Sequence, residues 1–116
     1  MAFFEDLDIW RKAKALTMTT YKKLEYGHDY GFKDQIQRAA VSIMNNIAEG
    51  SESGTTTIYI HFLNIAKGSC AEVRSMLYLA DELNYCDHQT ALEAIEQCKN
   101  ITGSINKLIN YLNSRK

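Results

Sequence analysis

The chain has 116 residues, of which 46% are hydrophobic, so we expect one domain, residues 1–116, with a single core. Its formal net charge is −1 and its pI is about 6.3, values that argue against a dedicated nucleic-acid-binding domain. Proline is absent, which favours long uninterrupted helices. The sequence has neither a basic start followed by an apolar run nor an apolar window long enough to span a bilayer. We therefore expect a cytoplasmic protein without a signal peptide or membrane span.

The first helix is predicted from about Asp6 to Tyr26. Its core stripe, spaced at the helical period, comprises Trp10, Ala13, Thr17, Tyr21 and Leu24. Residues 27–31, GHDYG, have turn-forming types and make the first joint.

The second helix contains the most strongly patterned segment, residues 35–50, QIQRAAVSIMNNIAEG. At about 100° per residue, one apolar face comprises Ile36, Ala39, Ala40, Ile43 and Ile47, and the polar stripe opposite it comprises Arg38, Ser42, Asn45 and Glu49. A second apolar strip comprises Val41, Met44 and Ala48. A helix that is apolar over most of its circumference needs two partners.

The third helix is predicted to start at a cap provided by Thr55 or Thr56 and to continue to Leu83, with Asp87 as the cap of the fourth. Their core stripes are Phe62, Ala66, Ser69, Val73, Leu77 and Ala80, and then Ile95, Cys98, Thr102, Ile105, Ile109 and Leu112. Short joints make consecutive helices antiparallel. The predicted fold class is therefore all-α, an antiparallel up-down-up-down four-helix bundle.

The residues that bind metals or act in catalysis do not cluster in the sequence. The cysteines and histidines lie far apart or at helix joints: Cys70, Cys86, Cys98, His28, His61 and His88. The Glu-x-x-His pairs of a di-iron bundle are absent, as are a phosphate-binding glycine loop and a nucleophile beside a base. We expect free thiols in a reducing cytoplasm, no catalytic residues, no metal and no cofactor, and rank an enzyme last.

Three polar positions are predicted to organise the core. Glu72 shares an azimuth with the apolar residues of the third helix, so we expect it to be buried and paired with Arg38 of the same or a neighbouring subunit. Asn46 is expected to hydrogen-bond to a neighbouring helix. Gly68 and Ser69, in mid-helix, are interpreted as a place of close helix approach.

The basic residues of the first helix form a candidate nucleic-acid surface. Arg11, Lys12, Lys22 and Lys23 fall within about 120° of one another, opposite the predicted core stripe. Most such faces are simply solvated. Because no aromatic residue is interleaved to stack on bases, any binding is predicted to be through phosphates and independent of sequence.

Three segments carry a family resemblance: DLDIW at residues 6–10, SIMNNIAEG at 42–50 and IAKGSCAEV at 65–73. With these, the chain resembles the four-helix-bundle family encoded by intervening sequences of bacterial 23S rRNA genes, which is related to the accessory variability protein of diversity-generating retroelements. The resemblance covers nearly the whole chain. It implies a barrel-shaped homopentamer and contact with RNA or DNA, and with a reverse transcriptase if the retroelement relationship holds.

The chain departs from the family pattern by losing basic residues. A paired arginine before Ala-Ala is reduced here to Gln37 and Arg38, and the loop that often carries an arginine reads Ser51, Glu52, Ser53.

The leading functional hypothesis is a non-catalytic, self-assembling scaffold or accessory factor associated with RNA or DNA. The alternative is a protein-binding adaptor without nucleic-acid contact. The predicted oligomer interface comprises Val41, Met44, Ala48, Ile60 and Tyr78, because these positions leave apolar surface outside the core stripes.

Overall fold

The computed structural model describes residues 3–115 and contains four long helices. They are α1 (Asp8–Lys22), α2 (Tyr30–Ser51), α3 (Thr56–Glu82) and α4 (His88–Ser114), preceded by a short 3-10 helix at Phe4–Asp6. No strand occurs in this range, so the all-α class is confirmed. The molecule is elongated, with principal extents of 46 × 20 × 20 Å.

Three helices begin at a side-chain cap. Thr55, Asp87 and Asp29 each accept a hydrogen bond from the backbone N–H three residues later, at 3.2, 2.7 and 3.1 Å. Such caps satisfy one of the unpaired N–H groups at a helix start. The predicted caps at Thr55 and Asp87 are confirmed, and the cap at Asp29 starts α2 at Tyr30.

Helix α1 ends at Lys22, four residues before the predicted end at Tyr26. The chain turns back so that the Tyr26 hydroxyl donates to the carbonyl of Thr20 at 2.6 Å. The buried amide of Gln37 on α2 donates to the same carbonyl at 3.4 Å. Side chains from outside the helix thus satisfy a carbonyl of its last turn, which is how a helix end becomes stable.

The core lies between four helices that pack as a ring. Helix α2 packs against α1 and α3, and α4 packs against α3 and α1, whereas the backbones of the diagonal pairs stay more than 8 Å apart throughout residues 3–115. The largest fully buried side chains are Leu16, Ile36, Ile43, Ile47, Leu63, Leu77, Ile101 and Ile105. Tyr21 was wrongly placed in this core, because it is 54% exposed. Trp10 is half-buried, and Leu24 is buried but lies beyond the end of α1.

The two joints at one end of the molecule bind each other. The backbone N–H of Glu25 donates to the carbonyl of Tyr85 at 2.7 Å, and the Tyr85 hydroxyl donates to a carboxylate oxygen of Asp29 at 2.6 Å. The Tyr85 ring packs edge-on against Tyr26 and Phe32. The Tyr85 hydrogen bond, followed by the backbone N–H bond of the cap, holds the pKa of Asp29 below its ordinary value.

Candidate self-association and nucleic-acid surfaces

The outer seam between α2 and α3 is held by small polar side chains. The hydroxyls of Ser42 and Ser69 lie 3.0 Å apart and join the two helices. The Asn46 amide donates to the carbonyl and the hydroxyl of Ser42, at 2.8 and 3.0 Å. The expected bond from Asn46 to a neighbouring helix is therefore wrong for the single chain, since Asn46 orients Ser42, and Ser42 makes the link between helices.

Arg38 and Glu72 line a shallow depression of about 430 Å³ above this seam. Both side chains are exposed, and no ion pair joins them within the described residues. Glu72 instead accepts a hydrogen bond from the Gln35 amide at 3.2 Å. The expected buried pair is therefore wrong within one chain, because the apolar stripe around Glu72 faces outward. Pairing across a subunit interface stays a prediction.

That outward stripe is an apolar face of α3 with no partner among residues 3–115. Ile58, Ile65, Leu79 and Leu83 are 40 to 46% exposed. Together with Glu72, the first three recur at every seventh position, the spacing at which a helix presents a seam to another helix. We call these five residues the α3 stripe. Helical periodicity placed Glu72 on the same side of the helix as apolar residues, but it could not show that this side faces outward.

The five residues predicted at an oligomer interface lie on other surfaces. Val41, Met44, Ala48 and Ile60 are half-buried, and Tyr78 is 50% exposed. Met44 packs against the core, so only part of the predicted second strip remains open to a partner. The interface assignment itself stays a prediction.

Two of the four candidate nucleic-acid residues lie close to carboxylates. Arg11 is 3.8 Å from Asp6 and Lys12 is 3.2 Å from Asp8. The Arg11 guanidinium also donates to the carbonyl of Glu5 at 3.0 Å. These exposed pairs are individually weak, but they reduce the positive field at the start of α1.

Lys22 and Lys23 are exposed at the other end of α1, and no carboxylate pairs with them in the described part of the chain. Lys22 follows Lys12 by ten positions in the helix, a distance of about 15 Å along the axis. The predicted basic face is thus two separate patches, and Lys22 and Lys23 form no ion pair there, although the charge of Lys23 helps to lower the pKa of nearby Asp87.

Gly68 does not serve close packing within the chain. A Cβ atom at this position would have no neighbour within 4 Å, so the interpretation of this glycine is wrong for the single chain. Close approach occurs instead at buried Gly50, against Phe62 and Tyr59 of α3.

Between residues 3 and 115, no group of three or more His, Cys, Asp or Glu side chains is placed to bind a metal ion. Within the same range, no helix combines the length and apolar character needed to cross a membrane.

The fold and these surfaces define an all-helical protein built from four long helices with an unpartnered apolar stripe. Residues 5–107 match the family model described as 23S rRNA-intervening sequence protein, and the chain belongs to this family. It is also similar in fold to a crystal structure of a protein of unknown function from the S23 ribosomal protein family of Bacteroides thetaiotaomicron. That similarity has a TM-score of 0.77 at 20% identity and covers 87% of this chain and 97% of the other. No curated protein matches the sequence.

Proposed function

We propose that this protein is a non-catalytic scaffold that assembles from several copies and associates with RNA or DNA through phosphate contacts. The observation that supports it best is the α3 stripe. Three large apolar side chains, Ile58, Ile65 and Leu79, follow one line on the 27-residue helix α3, its C-cap residue Leu83 is also apolar, and all four are 40 to 46% exposed. An apolar line of this kind is typical of a protein–protein contact.

The proposed assembly is a barrel-like homo-oligomer, and a pentamer is the expected number of copies. Each copy would be an antiparallel up-down-up-down bundle, a topology that the packing of α2 on α3 supports. Gln35 contacts Glu72, Ser42 contacts Ser69, and Gly50 lies against Phe62, so the partner numbers fall as the α2 numbers rise. Pairing of Arg38 with Glu72 of an adjacent copy is part of the same proposal.

Nucleic-acid association is proposed from the patch of Lys22 and Lys23 together with the family description, which names an rRNA intervening sequence. A single chain with a formal charge of −1 has a weak field. A closed ring would repeat the patch once per copy, and binding by several patches at once multiplies a weak affinity. The same proposal places the protein in the cytoplasm and includes a reverse transcriptase as a partner.

The second candidate is a protein-binding adaptor without nucleic-acid contact. The carboxylates of Asp6 and Asp8 beside Arg11 and Lys12 favour it, because they remove half of the predicted basic face. The two candidates share the self-association and differ in the partner.

Two measurements test the proposal. Light scattering at micromolar concentration should give a mass several times 13.2 kDa, and a mass near 13.2 kDa would contradict assembly. Fluorescence anisotropy with labelled single-stranded RNA should show binding that weakens steeply between about 50 and 200 mM salt and does not depend on sequence. An assembled protein that leaves RNA unbound at the lower salt concentration would favour the adaptor.

A further inference from the structure

Cys70 on α3 and Cys98 on α4 meet inside the bundle. Both residues are fully buried. The Cys70 thiol donates to the carbonyl oxygen of Cys98 at 3.3 Å, and the Thr102 hydroxyl donates to the Cys70 sulfur at 3.6 Å. The Cys70 side chain therefore reaches the backbone of Cys98 across the contact between α3 and α4, with 27 residues of chain between the two cysteines.

The environment distinguishes the two thiols. The neighbouring Cys98 side chain lowers the pKa of Cys70 against the opposing effect of burial, and the Thr102 hydroxyl and the positive charge of Arg74 act in the same direction. The Cys70 side chain, together with burial, raises the pKa of Cys98. Because its sulfur accepts the hydrogen bond from Thr102, which favours the thiolate, Cys70 is assigned as the nucleophile of the pair.

Cys86 provides an internal comparison. It is half-buried near the α3–α4 joint, and burial, followed by the charges of Asp81 and Asp87, raises its pKa. It is more accessible than the buried pair, but its thiolate is less favoured.

We propose that Cys70 and Cys98 form a redox-responsive pair that hydrogen peroxide converts into an intrachain disulfide joining α3 to α4. The Cys70 thiolate attacks one peroxide oxygen, the O–O bond breaks, and a sulfenic acid and hydroxide form. The Cys98 sulfur, its proton taken up by hydroxide, then attacks the Cys70 sulfur. The S–S bond forms and the S–O bond breaks with loss of a second hydroxide, which is protonated to water. Two thiols and one peroxide thus give one disulfide and two waters.

Burial makes the reaction dependent on local opening of the helices, so it is expected to be slow but to occur in the folded protein. The product would close the loop between the two cysteines and restrict the unfolded chain. Oxidation should therefore raise the thermal stability of each bundle, by about 5 to 15 °C in Tm.

The test uses Cys86→Ser protein, in which only the pair remains. Folded protein is treated with hydrogen peroxide, its remaining thiols are alkylated in denaturant, and the intact mass is measured. We expect the mass of one chain less the two thiol hydrogens, no alkylation, a linked peptide containing Cys70 and Cys98, and reversal by dithiothreitol. In Cys86→Ser/Cys98→Ala protein, peroxide should add oxygen at Cys70 without any intrachain link or rise in Tm.

Three results would overturn the proposal: two alkylated thiols after peroxide, a disulfide only between chains, or a disulfide that forms only in urea. Peptide mapping of the oxidised unsubstituted protein gives a second, independent measurement that does not depend on either variant folding. A link from Cys86 to either partner there would also contradict the assignment.

Discussion

A Cβ atom built on Gly50 would lie 2.8 Å from the Cβ atom of Phe62 and 3.0 Å from the ring of Tyr59. Gly50 is buried in the last turn of α2, where that helix lies closest to the start of α3. Any side chain at position 50 would push the two helices apart, because the nearest atom belongs to the stem of Phe62 and cannot rotate away.

Gly50→Ala is therefore expected to destabilise the protein by about 1 to 3 kcal/mol, the usual range for overpacking a well-packed site. Chemical denaturation monitored by circular dichroism would measure the change. Gly103→Ala is the matched control, since Gly103 is an exposed glycine inside α4 with nothing within 4 Å of its Cβ position. The free energy of unfolding of the control should rise by up to about 1 kcal/mol, because alanine has a higher helix propensity than glycine. Equal effects of the two substitutions would show that the contact with Phe62 is not tight.

Because Arg38 and Glu72 are exposed, substituting either should have a small effect on the stability of a single chain. Removing one partner of a buried pair would lower the free energy of unfolding by about 3 to 5 kcal/mol. Removing an exposed side chain lowers it by at most about 1 kcal/mol. We expect Glu72→Arg to change the unfolding of a dilute monomer little but to weaken the assembly. If the two residues pair across subunits, the double variant Arg38→Glu/Glu72→Arg should restore the assembly mass in light scattering. Additive losses would show that they do not interact.

Local signals predicted the parts of the fold that depend on near neighbours in sequence. Thr55 and Asp87 cap their helices because a cap needs only a side chain and an N–H three residues later. The end of α1 could not be predicted in this way, because the group that satisfies the Thr20 carbonyl comes from Tyr26 after the chain has turned back. The prediction that Tyr21 belongs to the core is therefore wrong.

The surfaces were harder to predict than the elements, for a physical reason. Periodicity gives the direction of a side chain around its own helix, but burial depends on where the other helices lie. Ile65 and Leu79 have the spacing of core residues and are exposed. Gly68 and Gly50 show the same limit, since a mid-helix glycine suggested close packing, whereas the close contact lies at Gly50, near the end of α2.

The bond between Tyr85 and Asp29 predicts a pH effect. The folded pKa of Asp29 lies below its ordinary value of 3.8, so its carboxylate stabilises the fold above about pH 4, and this contribution is lost as pH falls through the folded pKa. Tyr85→Phe should raise the pKa of Asp29 in an NMR titration and make stability depend less on pH between about 2 and 5. Tyr111→Phe is the control, because that hydroxyl is bonded to Arg115. An unchanged Asp29 titration in Tyr85→Phe would contradict the bond.

Assembly through the α3 stripe predicts different effects for two equally exposed residues. Ile65 on α3 is 40% exposed and Leu92 on α4 is 42% exposed, so replacing either with aspartate removes a similar apolar area from the monomer surface. Ile65→Asp should reduce the assembly to single chains at micromolar concentration, because it buries an unpaired charge in the interface. Leu92→Asp should leave the mass unchanged. The same loss of mass in both variants, or in neither, would remove the stripe from the interface.

Nucleic-acid binding is predicted to depend more on Lys22 and Lys23 than on Arg11 and Lys12. Lys22 and Lys23 form no ion pair in the described residues, although Lys23 lies near Asp87, whereas Arg11 and Lys12 are paired with Asp6 and Asp8. Each lysine that contacts a phosphate contributes about one unit to the slope of log affinity against log salt. Lys22→Glu/Lys23→Glu should therefore abolish the RNA shift in a gel at low salt and leave the helical circular dichroism and the assembly mass unchanged.

The charge-matched control is Lys107→Glu/Arg115→Glu, which makes the same change in net charge at two exposed basic residues near the end of α4 that form no ion pair in the described residues. If attraction to RNA came only from total charge, both double variants would lose binding equally. If it comes from the patch at the end of α1, the control should keep most of the affinity and salt slope of the unsubstituted protein, because screening at about 0.15 M salt limits the reach of each charge to about 8 Å. Lys12→Glu/Lys23→Glu should lie between the two, since Lys12 is already paired with Asp8. Retention of full RNA binding by the Lys22→Glu/Lys23→Glu protein would exclude this patch and leave the protein-binding adaptor as the better account of the function.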